Sequence, residues 1–415
     1  MPRVGVGPGS NGDWTGTEQL AGPRVPAEPT TASGQLAKFH APEIVFGQNA
    51  LLELGHSAGR LGARHPFLLT DAGVVEAGWA HRACEQLRSV GLHPVVWSDL
   101  TPNPKDFEVQ AAYDRYVDSG ADVIIAVGGG SCVDAAKGVA ILSGNGGHIL
   151  DYEGVDEVVK PIPPLVMVPS TSGTGADVSQ FCVVTDTFQE TKVTIISRTL
   201  VPEISIIDPL LLTTMPEWLN AATGLDALAH AVESYVSRAH NPLTDHHALH
   251  AVSLVTENLL RTLVDPQNMQ ARTAMAQGSL EAGMAFTNAI LGATHAMSHQ
   301  VGGLLDAPHG MINAILLPHV IRFNAAEDPV RYGPLARAAG IDIDRVRADQ
   351  AAELLADRVR ELADSLGVPR GLRGLGVGEH NVASLARTTM RDACLTTNPR
   401  TMDQQQAVAL FRAAM

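Results

Sequence analysis

Asp226, His230, His295 and His309 are side chains of the kinds that bind a divalent transition metal. Asp226 and His230 lie four apart in GLDALAHAVES, whose pattern predicts a helix, so both leave one face. His295 and His299 repeat that spacing in ATHAMSHQVGG, and His309 follows on an expected loop in LLDAPHGMINA. One carboxylate and several imidazoles converging from two helices and a loop make a site for such an ion. Spacing alone leaves both His295 and His299 as candidate ligands. Gly292, Ala293, Gly302, Gly303 and Gly310 surround the group and leave room for what it binds. A second cluster, His246, His247 and His250 in TDHHALHAV, reads as structural or surface, because no carboxylate shares its face.

A turn suited to a nucleotide phosphate lies upstream. ADVIIAVGGGSCVDAAK runs from a β-branched apolar strand through Gly128, Gly129, Gly130 and Ser131 into a helix carrying Asp134 and Lys137. Glycines let the backbone approach a pyrophosphate, and the helix start offers free N–H groups and a positive dipole end. An ordinary strand-to-helix turn has the same look, and the segment is not the GxGxxG fingerprint. Two further features favour a nucleotide. PSTSGTGADVS, from Pro169 to Ser179, sets small hydroxyls and glycines after the next buried strand. Asp71, at the tip of PFLLTD, can accept hydrogen bonds from the adenosine ribose and repel a 2′-phosphate, which favours NAD over NADP. Asp71 also suits a plain helix N-cap.

Metal and nucleotide complete one mechanism together. A divalent ion lowers an alcohol's pKa and, in the reverse direction, polarises a carbonyl. An alkoxide gives hydride to a nicotinamide more readily than an alcohol does. Asp plus three His accommodates Fe2+ or Zn2+.

Elements must position these groups. EIVFG, PFLLT, HPVVWS, ADVIIAV and PLVMVPS read as strands, and the segments between them as helices. That alternation predicts an α/β dinucleotide-binding domain with a parallel sheet over residues 37–215. Beyond MPEWLNAATG long helical runs dominate, and residues 216–415 read as an all-helical metal-binding, catalytic domain. The cleft between the two is the expected site. Residues 1–36 are rich in Gly, Pro, Ser and Thr and read as a disordered or loosely attached tail, and its GVGPGSNG as linker.

Composition narrows the classes. A chain of 415 residues suits two domains, and 45% hydrophobic residues supply sizeable cores. A net charge of −15 argues against nucleic acid as a partner. Cys84, Cys132, Cys182 and Cys394 form no CxxC pair, which speaks against a zinc ribbon and for a reducing cytoplasm. No run of about 20 apolar residues predicts a membrane span.

Five motifs in order, GGGSxxDxAK, the PxTxGTG-type loop, GxDALxHAxE, HAMxHQxGG and PHG, resemble those of the iron-containing (group III) alcohol dehydrogenases. The resemblance covers roughly residues 38–415 and is strongest to the broad-specificity branch. It implies a dehydroquinate-synthase-like architecture, an α/β NAD-binding domain followed by a helical one, paired as a homodimer or assembled further. It implies that Asp226, His230, His295 and His309 ligate the metal, and that His299 sits near the nicotinamide to place substrate or relay a proton. Gly129, Gly130, Ser131 and Asp134 match the pyrophosphate-side loop, and Ser170, Thr171, Thr174 and Ser179 the second cofactor loop. Lys192 matches a cofactor-contacting lysine, Asp71 the position marking NAD preference, and Phe286 and Cys394 positions lining the substrate pocket. Pro169-Ser170-Thr171-Ser172-Gly173-Thr174 departs from the usual Pro-Thr-Thr-Ala-Gly-Thr but keeps its size and hydroxyl character. Cys132-Val133 stands where proline is frequent.

The first reading is therefore a metal-dependent NAD(H) alcohol dehydrogenase or aldehyde reductase acting on a small-molecule alcohol or aldehyde. A hydroxyacid–oxoacid transhydrogenase on the same fold is the alternative. A metallohydrolase and a non-catalytic nucleotide sensor come from other classes. Glu233 and Asp306 are the carboxylates nearest the histidines in sequence, few for a hydrolase that bridges two metals.

Overall fold

Val123 to Gly128 are all buried, as a strand covered on both faces requires. The computed structural model describes residues 38–415; the tail expected over 1–36 lies outside the described residues. Five helices come from the first half: α1 (Leu54–Arg60), α2 (Ala72–Glu76), α3 (Trp79–Ser89), α4 (Asp106–Ser119) and α5 (Gly130–Asn145). Nine strands accompany them: β1 (Glu43–Phe46), β2 (Pro66–Leu69), β3 (Val95–Trp97), β4 (Val123–Gly128), β5 (Gly154–Val155), β6 (Leu165–Pro169), β7 (Phe181–Asp186), β8 (Thr191–Ile196) and β9 (Ile204–Ile207). Six of them make a wholly parallel sheet in the order β1-β9-β6-β4-β2-β3. Alternate residues leave opposite faces. Phe67, Leu69, Ile124 and Ala126 pack under α4 and α5, while Leu68, Val123, Ile125 and Val127 pack against α1 and α3.

The chain leaves β2 toward β3 on one side and leaves β4 toward β6 on the other. Strand order thus reverses between β2 and β4, and a crevice opens outside their carboxyl ends. Asp71 follows β2 and Gly129 follows β4, so both stand at that crevice.

A second, three-stranded sheet, β5-β8-β7, is not foreshadowed by the strand pattern. Its β7 and β8 form an antiparallel hairpin whose residues alternate only weakly, as in TKVTII. The hairpin carries Lys192 into the crevice.

The second half is helical: α6 (Glu217–Val236), α7 (Pro242–Val264), α8 (Met269–Ala289), α9 (Ala293–Leu305), α10 (His309–Ala325), α11 (Tyr332–Ala338), α12 (Ala348–Ser365), α13 (Glu379–Thr389) and α14 (Gln404–Ala413). One continuous apolar core joins them, with Leu228, Val232, Val255, Met297, Ile315 and Leu355 at its centre. Helix α6 runs through this core and is buried almost throughout, which is what an ion-binding helix needs to exclude bulk water. Among the described residues no helix is long and apolar enough to cross a membrane.

Candidate active site

A cleft of about 940 Å³ runs from the crevice of the parallel sheet to the helical half. Gly129, at the N-cap of α5, together with Gly130 and Ser131 lines it. The first turn of a helix leaves its N–H groups without intrahelical acceptors. A Cβ on Gly130 would meet Thr174 Cγ2 at 2.8 Å, and one on Gly129 would meet Thr171 Cγ2 at 3.2 Å. The glycine turn and the hydroxyl-rich loop therefore touch, and side chains on the turn would break that contact. The Thr171 Oγ1 atom is buried without a hydrogen-bond partner, a donor suited to a phosphate oxygen. Buried Lys137 pins the second loop through bonds to the carbonyls of Ala176 (2.7 Å), Ser179 (2.6 Å) and Phe181 (2.8 Å). Burial pulls its amine down to about 8, against the pull of the Asp134 charge. Burial likewise pushes the Asp134 carboxyl up to about 7.

Asp71 lines the same cleft and caps α2, its Oδ1 accepting from Val74 N at 2.9 Å. Its Oδ2 accepts from the Cys132 thiol at 3.2 Å. Cap and cleft residue are thus one side chain. Ser170, Ser179 and Lys192 also line the cleft, and Lys192 Nζ donates to Asn103 Oδ1 at 2.8 Å.

At the helical end, one donor atom each from Asp226, His230 and His295 lie within 4.8 Å of one another. His309 Nε2 is 3.9 Å from Asp226 Oδ1, and His295 Nε2 is 3.8 Å from it. Each of the four imidazoles is gripped at Nδ1. His230 Nδ1 meets Gly173 O at 3.2 Å, and His295 Nδ1 meets Glu233 Oε2 at 2.6 Å. His299 Nδ1 meets Asp392 Oδ2 at 2.8 Å, and His309 Nδ1 meets Ser298 Oγ at 3.5 Å. A carbonyl and two carboxylates can only accept, so they fix the hydrogen on Nδ1 of His230, His295 and His299, while Nε2 of His295 and of His309 lies beside Asp226. One carboxylate with converging imidazole nitrogens fits Fe2+ or Zn2+.

Electrostatics agree with a cation site. Burial alone would raise the Asp226 carboxyl, but the charges of His230 and His309 and the bond and charge of His295 hold it well below the usual carboxylate range. Burial would lower His295, yet its bonds to Asp226 and Glu233 lift it to about 9. His230 is pulled down to about 4 by burial, and His309 well below its ordinary value by the same cause. A divalent ion therefore has mostly neutral imidazoles to bind and one proton, on His295, to displace.

The cofactor-loop residues named from the sequence, the five metal-end residues and Phe286 all border this one cleft. Cys394 does not line it; the residue is fully buried in an apolar cluster with Phe286, Leu291 and Phe181. His309 is not on a loop but is the first residue of α10, with Pro308 at its N-cap. Gly310, expected to leave room for what the site binds, is there for close packing: a Cβ would lie 1.8 Å from Ala222 O of α6. Gly310→Ala should push α10 off α6 and cost about 1–3 kcal/mol of stability, read as a lower midpoint in urea unfolding; an unchanged midpoint would show that α6 can yield. His247 and His250 do meet a carboxylate, Glu281, which comes from the neighbouring helix α8.

Some roles escaped the sequence reading. Glu233, named there only as a nearby carboxylate, follows Asp226 at i+7 and His230 at i+3 on the same helical face, a spacing that could have marked its role. Asn313 Nδ2 donates to Asp226 Oδ1 at 2.7 Å, and Asp392 reaches His299 from 93 residues away, with no local signal for either.

A switch-point glycine turn at one end of a cleft and a carboxylate–imidazole cluster at the other define an oxidoreductase that pairs a dinucleotide with a metal. Comparison with known proteins narrows this. Residues 41–209 match the description "Iron-containing alcohol dehydrogenase", and residues 220–415 match "Fe-containing alcohol dehydrogenase family, C-terminal". The chain is 39% identical over 371 residues to 1,3-propanediol dehydrogenase of Citrobacter freundii, covering 89% of this chain and 96% of that one. It is 33% identical to the NAD-dependent methanol dehydrogenase of Bacillus methanolicus, over 91% of this chain and 99% of the other. A crystal structure of 1,3-propanediol oxidoreductase superposes with a TM-score of 0.89 at 38% identity, covering 92% of this chain and all of that one. The chain belongs to the iron-containing alcohol dehydrogenase family.

Proposed function

We propose that the protein is an NAD-dependent alcohol dehydrogenase and aldehyde reductase of the iron type, working on a small-molecule alcohol or aldehyde. The observation that carries this is the convergence of donor atoms of His230, His295 and His309 on Asp226 in the same cleft as the glycine turn. Residues 37–215 serve as the NAD-holding part and 216–415 as the metal-holding, catalytic part. Asp226, His230, His295 and His309 would hold Fe2+ or Zn2+. Such an ion supplies Lewis acidity, stabilising negative charge on the oxygen of the reacting carbon.

The chain's own groups do the rest. Backbone N–H groups of Gly129, Gly130 and Ser131 bind the diphosphate, and the hydroxyls of Ser170, Thr171, Thr174 and Ser179 flank it. Asp134 belongs with that pyrophosphate-side loop, and Lys192 contacts the cofactor. Asp71 accepts from the adenosine ribose. His299, its Nδ1 held, offers Nε2 to receive the hydroxyl proton on oxidation and return it on reduction. Phe286, stacked on His230 at 4.5 Å between ring centres, keeps water from that end of the cleft. We place Cys394 behind Phe286, supporting the pocket wall.

Glu233 and Asp306 are both engaged elsewhere, which weighs against a bridged two-metal hydrolase. Glu233 accepts from the start of α9 and from His295, and Asp306 Oδ1 accepts from Asn103 Nδ2 at 2.5 Å. The four cysteines are buried and unpaired, in keeping with a cytoplasmic setting. We expect a homodimer or larger homo-oligomer, in which Phe188, 94% exposed at the β7–β8 hairpin, is an apolar side chain a second copy could cover.

The test is metal analysis of anaerobically purified protein with an NADH assay over a panel of aldehydes. Steady turnover with free NAD(H) supports the proposal. Turnover only when a hydroxyacid is paired with an oxoacid would replace it with a transhydrogenase. Asp71→Gly should shift the ratio of kcat/KM for NADH over NADPH by about tenfold or more toward NADPH, since a carboxylate beside a 2′-phosphate costs at least ~1.4 kcal/mol. The same variant loses the α2 cap, worth a few tenths of a kcal/mol when glycine replaces it. Unchanged selectivity would reduce Asp71 to that cap.

A further inference from the structure

We infer that Asp392 is a positioning residue for the reaction: it fixes the tautomer of His299 so that Nε2, and not Nδ1, faces the reacting oxygen. The inference rests on the dehydrogenase reading above.

His299 borders the cleft while its ring is otherwise enclosed, stacked on His309 at 5.3 Å between centres. Its Nδ1 donates to Asp392 Oδ2 at 2.8 Å, and both side chains are about 95% buried. Asp392 is itself held in place. Its Oδ1 accepts from the backbone N–H of Cys394 at 2.9 Å, and Gln300 Nε2 lies 3.4 Å from its Oδ2. A backbone N–H is a donor that no rotation can invert. The carboxylate is therefore orientated from one side by the chain and orientates the imidazole from the other.

In alcohol oxidation the hydrogen on carbon leaves with its electron pair as hydride to the nicotinamide, and the hydroxyl hydrogen leaves as a proton. With Nδ1–H committed to Asp392, the Nε2 lone pair receives that proton. In reduction the same nitrogen returns it to the oxygen that has taken up negative charge. With the opposite tautomer, Nε2 would already carry a hydrogen and could not accept.

Asparagine at position 392 makes an unusual prediction. Its Oδ1 must face the Cys394 N–H, so its amide NH2 must face His299. That forces Nδ1 to become the acceptor and places the hydrogen on Nε2. Alanine, although less like aspartate in shape, leaves the imidazole free to adopt either tautomer. Asp392→Asn should therefore lower kcat for alcohol oxidation, in which Nε2 must accept, by about 10²-fold and Asp392→Ala by only about tenfold. A purely structural role predicts the reverse order, because asparagine fills the site and alanine empties it.

The experiment measures kcat and KM for both variants beside wild type, NADH dissociation by fluorescence titration, and metal per chain. A solvent deuterium isotope effect on kcat is read in parallel. The expected result is the Asn-below-Ala order, KM and NADH binding within about twofold of wild type, one metal per chain throughout, and a larger solvent isotope effect in the Asn variant. Equal or reversed order, or full kcat in both, overturns the role of Asp392. So does a second metal per chain lost in both variants, because donor atoms of His299, Asp392 and Cys394 also lie within 4.8 Å of one another. Wild-type protein that binds metal and NADH but turns over no alcohol or aldehyde sinks the dehydrogenase reading itself, and the two failures are thereby told apart.

Discussion

His309→Ala should abolish turnover, by about 10³-fold or more in kcat/KM, while NADH still binds. His309 opens α10 and approaches the cluster from the cleft side; it is the half-buried member, its side chain 22% exposed against 1% for His295. Losing it leaves Asp226, His230 and His295, whose donor atoms are close enough to retain an ion. An ion held there would lack one of the imidazoles that would hold and direct it. Stabilising developing charge with a misdirected ion forfeits several kcal/mol, and each ~1.4 kcal/mol is tenfold. The glycine turn, Thr171 and Asp71 lie on the α/β half and touch none of this, so the fluorescence of bound NADH should change little. Full activity in the variant would take His309 out of the site. Lost NADH binding would show that the two ends of the cleft are not independent.

That independence bears on what a sequence can disclose. The parallel sheet was legible because buried strands such as Val123–Gly128 are apolar on both faces, and glycine marks where β4 meets α5. Asp226 and His230 were legible because four-residue spacing is a property of the helix itself. The hairpin β7–β8 was not, since half-exposed residues such as Thr185, Thr191 and Lys192 blur its alternation. Gly310 misled for a physical reason: a glycine near a cluster can leave room for a bound group or let two helices cross closely, and only the contact with Ala222 O distinguishes them. The groups that hold the imidazoles were the hardest to see. Gly173, Ser298 and Asp392 are chosen by where loops and helices meet, 57, 11 and 93 residues from the rings they hold. A ligand's identity is written locally, whereas its orientation is a tertiary fact.

Glu233→Gln tests that distinction at its strongest point. Glu233 is buried beneath His295, and four donors converge on it. Thr294 N reaches Oε1 at 2.6 Å, while Gly292 N at 3.1 Å, His295 N at 3.3 Å and His295 Nδ1 at 2.6 Å reach Oε2. Burial would raise this carboxyl; the hydrogen bond and charge of His295, then the bonds from Thr294, outweigh it and hold the group below its ordinary value. It is thus a full negative charge that both caps α9 and anchors a ligand. Glutamine has one acceptor oxygen, which would go to the three donors at Oε2 and leave its NH2 against Thr294 N–H. The His295 tautomer survives, but the charge behind the ring is gone and one buried donor is unpaired. The first effect should weaken metal binding about 10–100-fold, measured by anaerobic competition with a chromophoric chelator. The second should cost the metal-free protein about 1–3 kcal/mol, measured by chemical unfolding. If affinity stays at the wild-type value while stability falls, Glu233 serves only the helix start, and the imidazole needs no charge behind it to bind the ion.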